Sequence, residues 1–296
     1  MFANLGEPIS LCLTSPPYPI ARGRAYGQFA EPEYVDFLCR VIEPIVKNLR
    51  PGGSVVLNIS NDVFERGLPS RSLYQERLVL ALHDRLGLHL MDRVIWHNPS
   101  KPPGPVHWAS IHRKQLNVSY EPVLWMTNDP RQVRSDNRRV LEPHSTRQQK
   151  LIRAGGENRH GVYSDGAYTV RPGSYSRATP GRIPRNVLAM GHACPDQKRY
   201  KQSTRALGLP VHGAPYPLRL AKFFINFLTE KDDLVVDPLG GSLTTGHGAE
   251  ELGRRWVSSD NIWEYLRGGA ERFHGADGFW INQAFNNCCA PEDRIA

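Results

Sequence analysis

Two hydrophobic periods alternate along this chain of 296 residues, and that alternation limits the folds open to it. Short runs rich in Val, Ile and Leu, such as Ser54 to Ile59, suit strands buried on both faces. Between them, "EYVDFLCRVIEPIVKNL" places Tyr34, Phe37, Leu38, Val41, Ile42, Ile45, Val46 and Leu49 at three- and four-residue steps, which predicts an amphipathic helix with a kink at Pro44. Pro51-Gly52-Gly53 predicts a turn, and a second helix is expected from about Ser70 to Leu86, stopped by Gly87. "LMDRVIW" and "YEPVLWMT" read as the next strands. Strand, helix, strand, helix, strand is the order of a parallel, doubly wound α/β sheet of Rossmann-like type.

The pattern resumes late. "APYPLRLAKFFINFLT" predicts a helix beginning at Pro217, "DLVVD" a strand, "AEEL" a helix, "RRWVSSD" a strand and "IWEYLRGGAERF" a last helix. The reading therefore divides the chain into one half of the sheet at 1–127, an insertion at 128–210, the other half at 211–275 and an unassigned tail at 276–296.

In the insertion the periodicity gives way to Arg, Gly, Ser, Pro and Tyr. Between Arg131 and Arg205 there are 16 Lys and Arg against 5 Asp and Glu, more than the whole +8 of the chain. A disordered basic segment is one reading. The other is a nucleic-acid reader: Tyr163, Tyr168, Tyr175 and Tyr200 interleave with arginines, and aromatic rings stack on bases while cations hold phosphates. Arg134, Arg138, Arg139, Arg147, Arg171, Arg177, Arg182 and Arg185 are the candidate DNA contacts.

No run approaches the roughly 20 apolar residues of a membrane helix, and "MFANLGEPIS" lacks a secretory layout, so a cytoplasmic protein is expected. Of five cysteines, Cys12, Cys39 and Cys194 stand apart and Cys288 and Cys289 are adjacent without CxxC spacing. His107 and His112 have no carboxylate or thiol beside them. No metal or redox site is expected.

Two turns carry the chemistry. "VVDPLGGSLTTG" ends a strand in Asp237-Pro238, supplies Gly240 and Gly241 and enters a helix through Ser242, Thr244 and Thr245, which suits a nucleotide-like cofactor at a helix N-terminus. It lacks the lysine of a phosphate-binding P-loop. Asp260 ends the next strand, where dinucleotide folds place an acid on ribose hydroxyls. Near the start, "LCLTSPPYPI" runs a strand into Ser15-Pro16-Pro17-Tyr18. Prolines have no N–H, so this turn offers carbonyl acceptors and few donors. Such a rim suits an amino group, and the exocyclic amine of a nucleobase becomes nucleophilic when acceptors hold its protons. The Tyr18 ring is a candidate stacking surface for that base, and Trp96 and Trp108 are either pocket walls or core.

"TSPPY" with "DPLGGSLTTG" resembles the amino-group DNA methyltransferases that use S-adenosylmethionine. The order of catalytic turn, basic insertion and cofactor turn resembles their permuted beta class. "GLPSRSLYQERL", "VIWHNPSKPPGPVHW" and "HGAPYPLRLAKFFINFLTEKDDLVVD" resemble the PvuII-type cytosine-N4 enzymes, over about Ser15 to Phe273. The resemblance implies methyl transfer to cytosine N4 without a metal, with Ser15, Pro16, Pro17 and Tyr18 around the target amine and Asn58 beside them. Asp237, Pro238, Gly240, Gly241, Ser242, Thr244 and Thr245 would surround the methionine end of the cofactor, flanked by Ala214, Pro215 and Pro217, with Asp260 on its ribose. The insertion would read the target sequence in double-stranded DNA.

Adenine N6 as the target and a turnover-deficient DNA-binding protein on the same fold are the alternatives. A cognate restriction endonuclease is an open further partner, as is the choice between monomer and homodimer. Relatives carry a strand and helix ahead of the catalytic strand, whereas about ten residues precede Leu11 here; either a start upstream or another segment, such as the tail, is expected to supply that part.

Overall fold

The computed structural model describes residues 2, 5–19 and 31–282, with backbone alone at 31 and 32. Most of the tail at 276–296, with Cys288 and Cys289, lies outside the described residues. The chain divides into two compact units, Met1–Ser135 with Asn186–Ala296, and Asp136–Arg185.

The larger unit is built on a seven-stranded sheet. Its strands are β1 (Ile9–Thr14), β2 (Leu49–Asn58), β3 (His89–His97), β4 (Tyr120–Thr127), β7 (Val187–Ala189), β8 (Leu234–Asp237) and β9 (Arg255–Ser258), in the order β7-β3-β4-β2-β1-β8-β9. β1 pairs in parallel with both β2 and β8 and is buried at every position, the polar Ser10 and Thr14 included, as suits a central strand covered on both faces. Leu11 and Leu13 enter one core and Cys12 the opposite one, the period-two alternation of a strand covered on both faces.

The first core lies under α1 (Glu31–Val46) and α2 (Tyr74–Leu86), where Leu38, Ile42, Ile45, Leu78 and Leu82 meet Val55, Leu57 and Val236. The second lies under α5 (Leu218–Leu228). Here Leu220, Ala221, Phe224, Ile225 and Leu228 form one stripe, and Phe224 packs with Leu11, Val235 and Ala249. α2 stops where expected: Gly87 adopts φ 67° and its amide returns to the helix carbonyls.

Three expectations are corrected. β4 runs antiparallel to β2 and β3, because the β3–β4 connection holds a π-helical turn at Val106–Ile111 and no crossover helix. Pro51-Gly52-Gly53 lies within β2, not in a turn before it; pairing to β1 jumps from Ile9↔Leu49 to Leu11↔Ser54, so these residues form a bulge. Gly52 takes φ +74°, and a Cβ there would fall 1.9 Å from the Gln132 carbonyl oxygen.

The third concerns the end of the basic stretch. β7 extends the main sheet beside β3, and α4 (Pro195–Ala206) packs on α7 (Trp263–Ala270), so both belong to the larger unit. Tyr200 is 1% exposed, its hydroxyl accepts from the His212 amide at 3.0 Å and the Arg272 guanidinium lies 4.5 Å over its ring. It is a core residue and has no face left for a base.

The smaller unit contains α3 (Thr146–Arg153), capped by Ser145, whose Oγ accepts from the Gln148 amide, and a hairpin of β5 (Gly161–Tyr163) and β6 (Tyr168–Val170). It holds ten Lys and Arg against four Asp and Glu. α6 (Thr244–Glu251) follows β8 in the larger unit and completes the helical cover.

Candidate active site

Because β1 and β8 are parallel neighbours, their C-terminal ends open on one rim, and the two motif-bearing turns lie side by side. Between them is a cavity of about 420 Å³. Its wall includes Ser15, Pro16, Pro17 and Tyr18 from one turn and Asp237, Pro238, Gly240, Gly241, Ser242, Thr244 and Asp260 from the other side, with Ala214 and Pro215. Thr245 and Pro217 do not line it: Thr245 is buried behind Asp237, and Pro217 precedes the first turn of α5. Leu239 lines it from within the Asp237–Gly240 turn. Phe37, His212, Tyr216, Ser259, Asn261 and Tyr265 also line the cavity, and sequence reasoning missed them. They come from separate segments and carry no shared local pattern.

The Gly-rich turn is fixed by its neighbours. The Gly240 amide donates to the Ser259 carbonyl at 2.8 Å, and a Cβ on Gly240 would fall 1.9 Å from Ser258 Oγ. Gly241 has φ +46° and donates to Asp260 Oδ2 at 2.8 Å, while Asp260 Oδ1 accepts from the Ile262 amide at 2.9 Å. Asp260 thus orders the turn as well as lining the cavity. Asp237, 3% exposed, accepts from Thr245 Oγ1 at 2.6 Å and from the Leu239 amide at 3.2 Å. Thr245 is in turn bonded to the Tyr216 hydroxyl. Burial raises the Asp237 carboxyl to about 6 against these stabilising bonds.

At the catalytic turn, Tyr18 is held by its hydroxyl, which donates to Glu121 Oε2 at 3.0 Å and lies 3.3 Å from Ser15 Oγ. Asn58, at the end of β2, donates through Nδ2 to the same Glu121 oxygen at 3.0 Å and approaches the Tyr18 hydroxyl at 3.2 Å and Ser15 Oγ at 3.4 Å. Lys101 Nζ donates to Glu121 Oε1 at 3.0 Å. Burial, then the Glu121 charge, pushes the Tyr18 phenol well above its ordinary value, so it remains a neutral donor. Glu121 gave no signal in the sequence: it is the second residue of an apolar strand, and only the pairing of β4 with β2 brings it to Asn58. Trp96 is core, with Nε1 donating to the Met190 carbonyl, and Trp108 packs with His107 and His112 in the π-helical turn. Among the described residues no group of His, Cys, Asp and Glu is arranged to hold a metal.

The candidate DNA contacts divide. Arg134 belongs to the larger unit and pairs with Glu230 and Asp233. In the smaller unit Arg138 and Arg139 face Asp136, Arg147 faces Glu157 and Arg182 pairs with Glu142. Arg171, Arg177 and Arg185 have no ion-pair partner among the described residues. Tyr163, Tyr168 and Tyr175 are exposed and, with Arg147 and Arg159, line a cleft of about 530 Å³ within that unit.

Among known proteins, the chain is 35% identical over 275 residues to the type II methyltransferase M.PvuII of Proteus hauseri, covering 90% of this chain and 78% of that protein. The solved structure of PvuII DNA methyltransferase (cytosine-N4-specific) superposes with a TM-score of 0.70 at 30% identity, covering 95% of this chain and 84% of the other. The M1.HpyAVI–SAM complex shares the fold at a TM-score of 0.53 and 15% identity, with 92% of each chain covered. Residues 9–271 match the DNA methylase family. With the Ser-Pro-Pro-Tyr and Asp-Pro-Leu-Gly-Gly turns meeting at one cavity within that span, the chain belongs to the DNA methylase family.

Proposed function

We propose that this protein transfers a methyl group from S-adenosylmethionine to the N4 amine of a cytosine in double-stranded DNA. The observation that carries the reading is the meeting of the two turns at a single cavity, in a chain 35% identical to M.PvuII across 90% of its length.

The residues present fit the cofactor. The cavity is of small-molecule size, within the range of roughly 300–1,000 Å³. It combines the aromatic side chains Phe37 and Tyr265 with the carboxylates of Asp237 and Asp260, and Gly241 carries no side chain where a Cβ would fall 3.0 Å from His212 of the cavity wall. Asp237, Ser242 and Thr244 would hold the polar amino-acid end, and Asp260 the ribose, while Phe37 and Tyr265 suit the adenine. When bound, the cofactor supplies an electrophilic methyl on a sulfonium.

The chain's own residues do the rest. Ser15 and the Ser-Pro-Pro carbonyls accept from the target amine, which restores lone-pair density to its nitrogen. The two prolines fix those acceptors before the base arrives, so orientation contributes much of the rate. The base must leave the duplex to reach the turn. The methylated amine is far more acidic than its parent, and its surplus proton passes to water.

Tyr163, Tyr168 and Tyr175 with the arginines of the smaller unit are the proposed DNA-reading surface. An endonuclease acting on the same sequence is the proposed genetic partner, and cytoplasmic DNA the proposed place of action.

Incubation with labelled S-adenosylmethionine and mixed-sequence duplex, followed by nucleoside digestion and mass spectrometry, is expected to give N4-methylcytosine. N6-methyladenine would overturn the base assignment, and DNA binding without any labelled base would overturn turnover. Ser15→Ala is expected to lower methyl transfer at least about 100-fold while leaving duplex affinity within about threefold.

A further inference from the structure

Glu121 collects three donors at the catalytic turn. Oε2 accepts from the Tyr18 hydroxyl and from Asn58 Nδ2, and Oε1 accepts from Lys101, all at 3.0 Å. Its side chain is 17% exposed and that of Lys101 22%, so water screens this cluster poorly.

The consequence falls on Asn58, which is 2% exposed. An amide beside a carboxylate has one tolerable orientation: the NH2 faces the anion, because the carbonyl oxygen would meet it with like partial charge. Glu121 therefore decides which end of the Asn58 amide is committed. The remaining end, Oδ1, is buried without a hydrogen-bond partner among the described residues. The committed end, Nδ2, is the one that faces the catalytic turn, 3.4 Å from Ser15 Oγ and 3.2 Å from the Tyr18 hydroxyl.

We infer that Glu121 is a positioning residue for methyl transfer: through one carboxylate oxygen it turns the Asn58 amide so that Nδ2, and not Oδ1, faces Ser15 Oγ, which fixes the serine at the catalytic turn where the target amine arrives. This rests on the methyl-transfer reading. Gln at 121 offers the Asn58 amide an acceptor or a donor, so the orientation is no longer enforced.

The test is a double-mutant cycle on the full chain with duplex DNA and S-adenosylmethionine. Glu121→Gln is expected to lower kcat about 10- to 100-fold, the scale of a small misplacement at a reacting centre, with cofactor affinity and KM for DNA within about twofold. In an Asn58→Ala background the same substitution is expected to lower kcat less than about twofold further. Melting curves check that each variant is folded. Where Glu121→Gln does not fold, the cycle is run with Glu121→Asp, which keeps the charge and withdraws it by one methylene.

A wild-type protein that methylates no duplex sinks the methyl-transfer reading itself. Wild-type turnover with unchanged kcat in Glu121→Gln overturns the inference, as does a loss of equal size in both backgrounds, which would mark Glu121 as acting through Tyr18 or Lys101 independently of Asn58.

Discussion

Asp237 lies at the end of β8 with its carboxyl raised from 3.8 to about 6 by burial, although Thr245 and the Leu239 amide both donate to it. An acid raised in this way binds more protons folded than unfolded between about 4 and 6. Stability of the cofactor-free protein therefore falls as pH rises through that window, and the penalty is complete above it. Asp237→Asn is expected to stabilise the cofactor-free protein by about 1–3 kcal/mol at pH 8 and to have little effect at pH 4, measured by denaturant unfolding. The same change is expected to weaken S-adenosylmethionine binding at least about tenfold at pH 8 by calorimetry, since the ionised carboxylate is the form that attracts the cofactor's ammonium. Both outcomes together identify a charge kept for binding at a cost to the fold.

At the scale of elements, the Gly-rich turn is supported from behind by α4, α7 and the 3₁₀ turn Glu271–Phe273. Arg272, its side chain 3% exposed, donates to the Ser242 carbonyl and to Asp196 of α4, each at 3.0 Å. Arg272→Met leaves Asp196 without this guanidinium and is expected to cost about 3–5 kcal/mol in unfolding; Asp196→Leu added to it is expected to recover part of that loss. α7 approaches still more closely at Gly269, where a Cβ would lie 2.8 Å from the Ser242 carbonyl oxygen. Because that neighbour is backbone, Gly269→Ala is expected to displace the turn, raising the S-adenosylmethionine Kd at least about tenfold and destabilising the protein by about 1–3 kcal/mol, with duplex affinity unchanged. Little of this support was legible in the sequence. α4 lies in a stretch whose Lys and Arg masked its buried face of Asp196, Gln197, Tyr200 and Thr204, and polar residues buried by pairing leave no hydrophobic period to read.

For the whole molecule, the charge is divided between the two units. The ten Lys and Arg of the smaller unit give it an electrostatic footprint suited to a polyanion. Arg171, Arg177 and Arg185, without ion-pair partners among the described residues, are the ones most available to phosphate. Replacing all three by alanine is expected to weaken duplex binding and to reduce the slope of log K against log salt by about 1 for each phosphate that the variant no longer neutralises, with S-adenosylmethionine affinity unchanged. Calorimetry for the cofactor and a salt titration of DNA binding check the two halves of that statement.

The sequence by itself determined the alternation of strands and helices, the family and the two turns, because each depends on neighbours within about ten residues: β-branched runs, Pro and Gly at fixed offsets, and an acid at a strand end. It also located the helix stop at Gly87 and the start of α5 after Pro217. Tertiary structure decided what those segments meet. Strand pairing absorbed Pro51-Gly52-Gly53 into β2 as a bulge and reversed β4. Packing took Tyr200 into the core, and the approach of β4 to β2 delivered Glu121 to Tyr18 and Asn58, which are 103 and 63 residues away along the chain. Contacts of that separation follow from sheet register and core packing, and no local pattern encodes them.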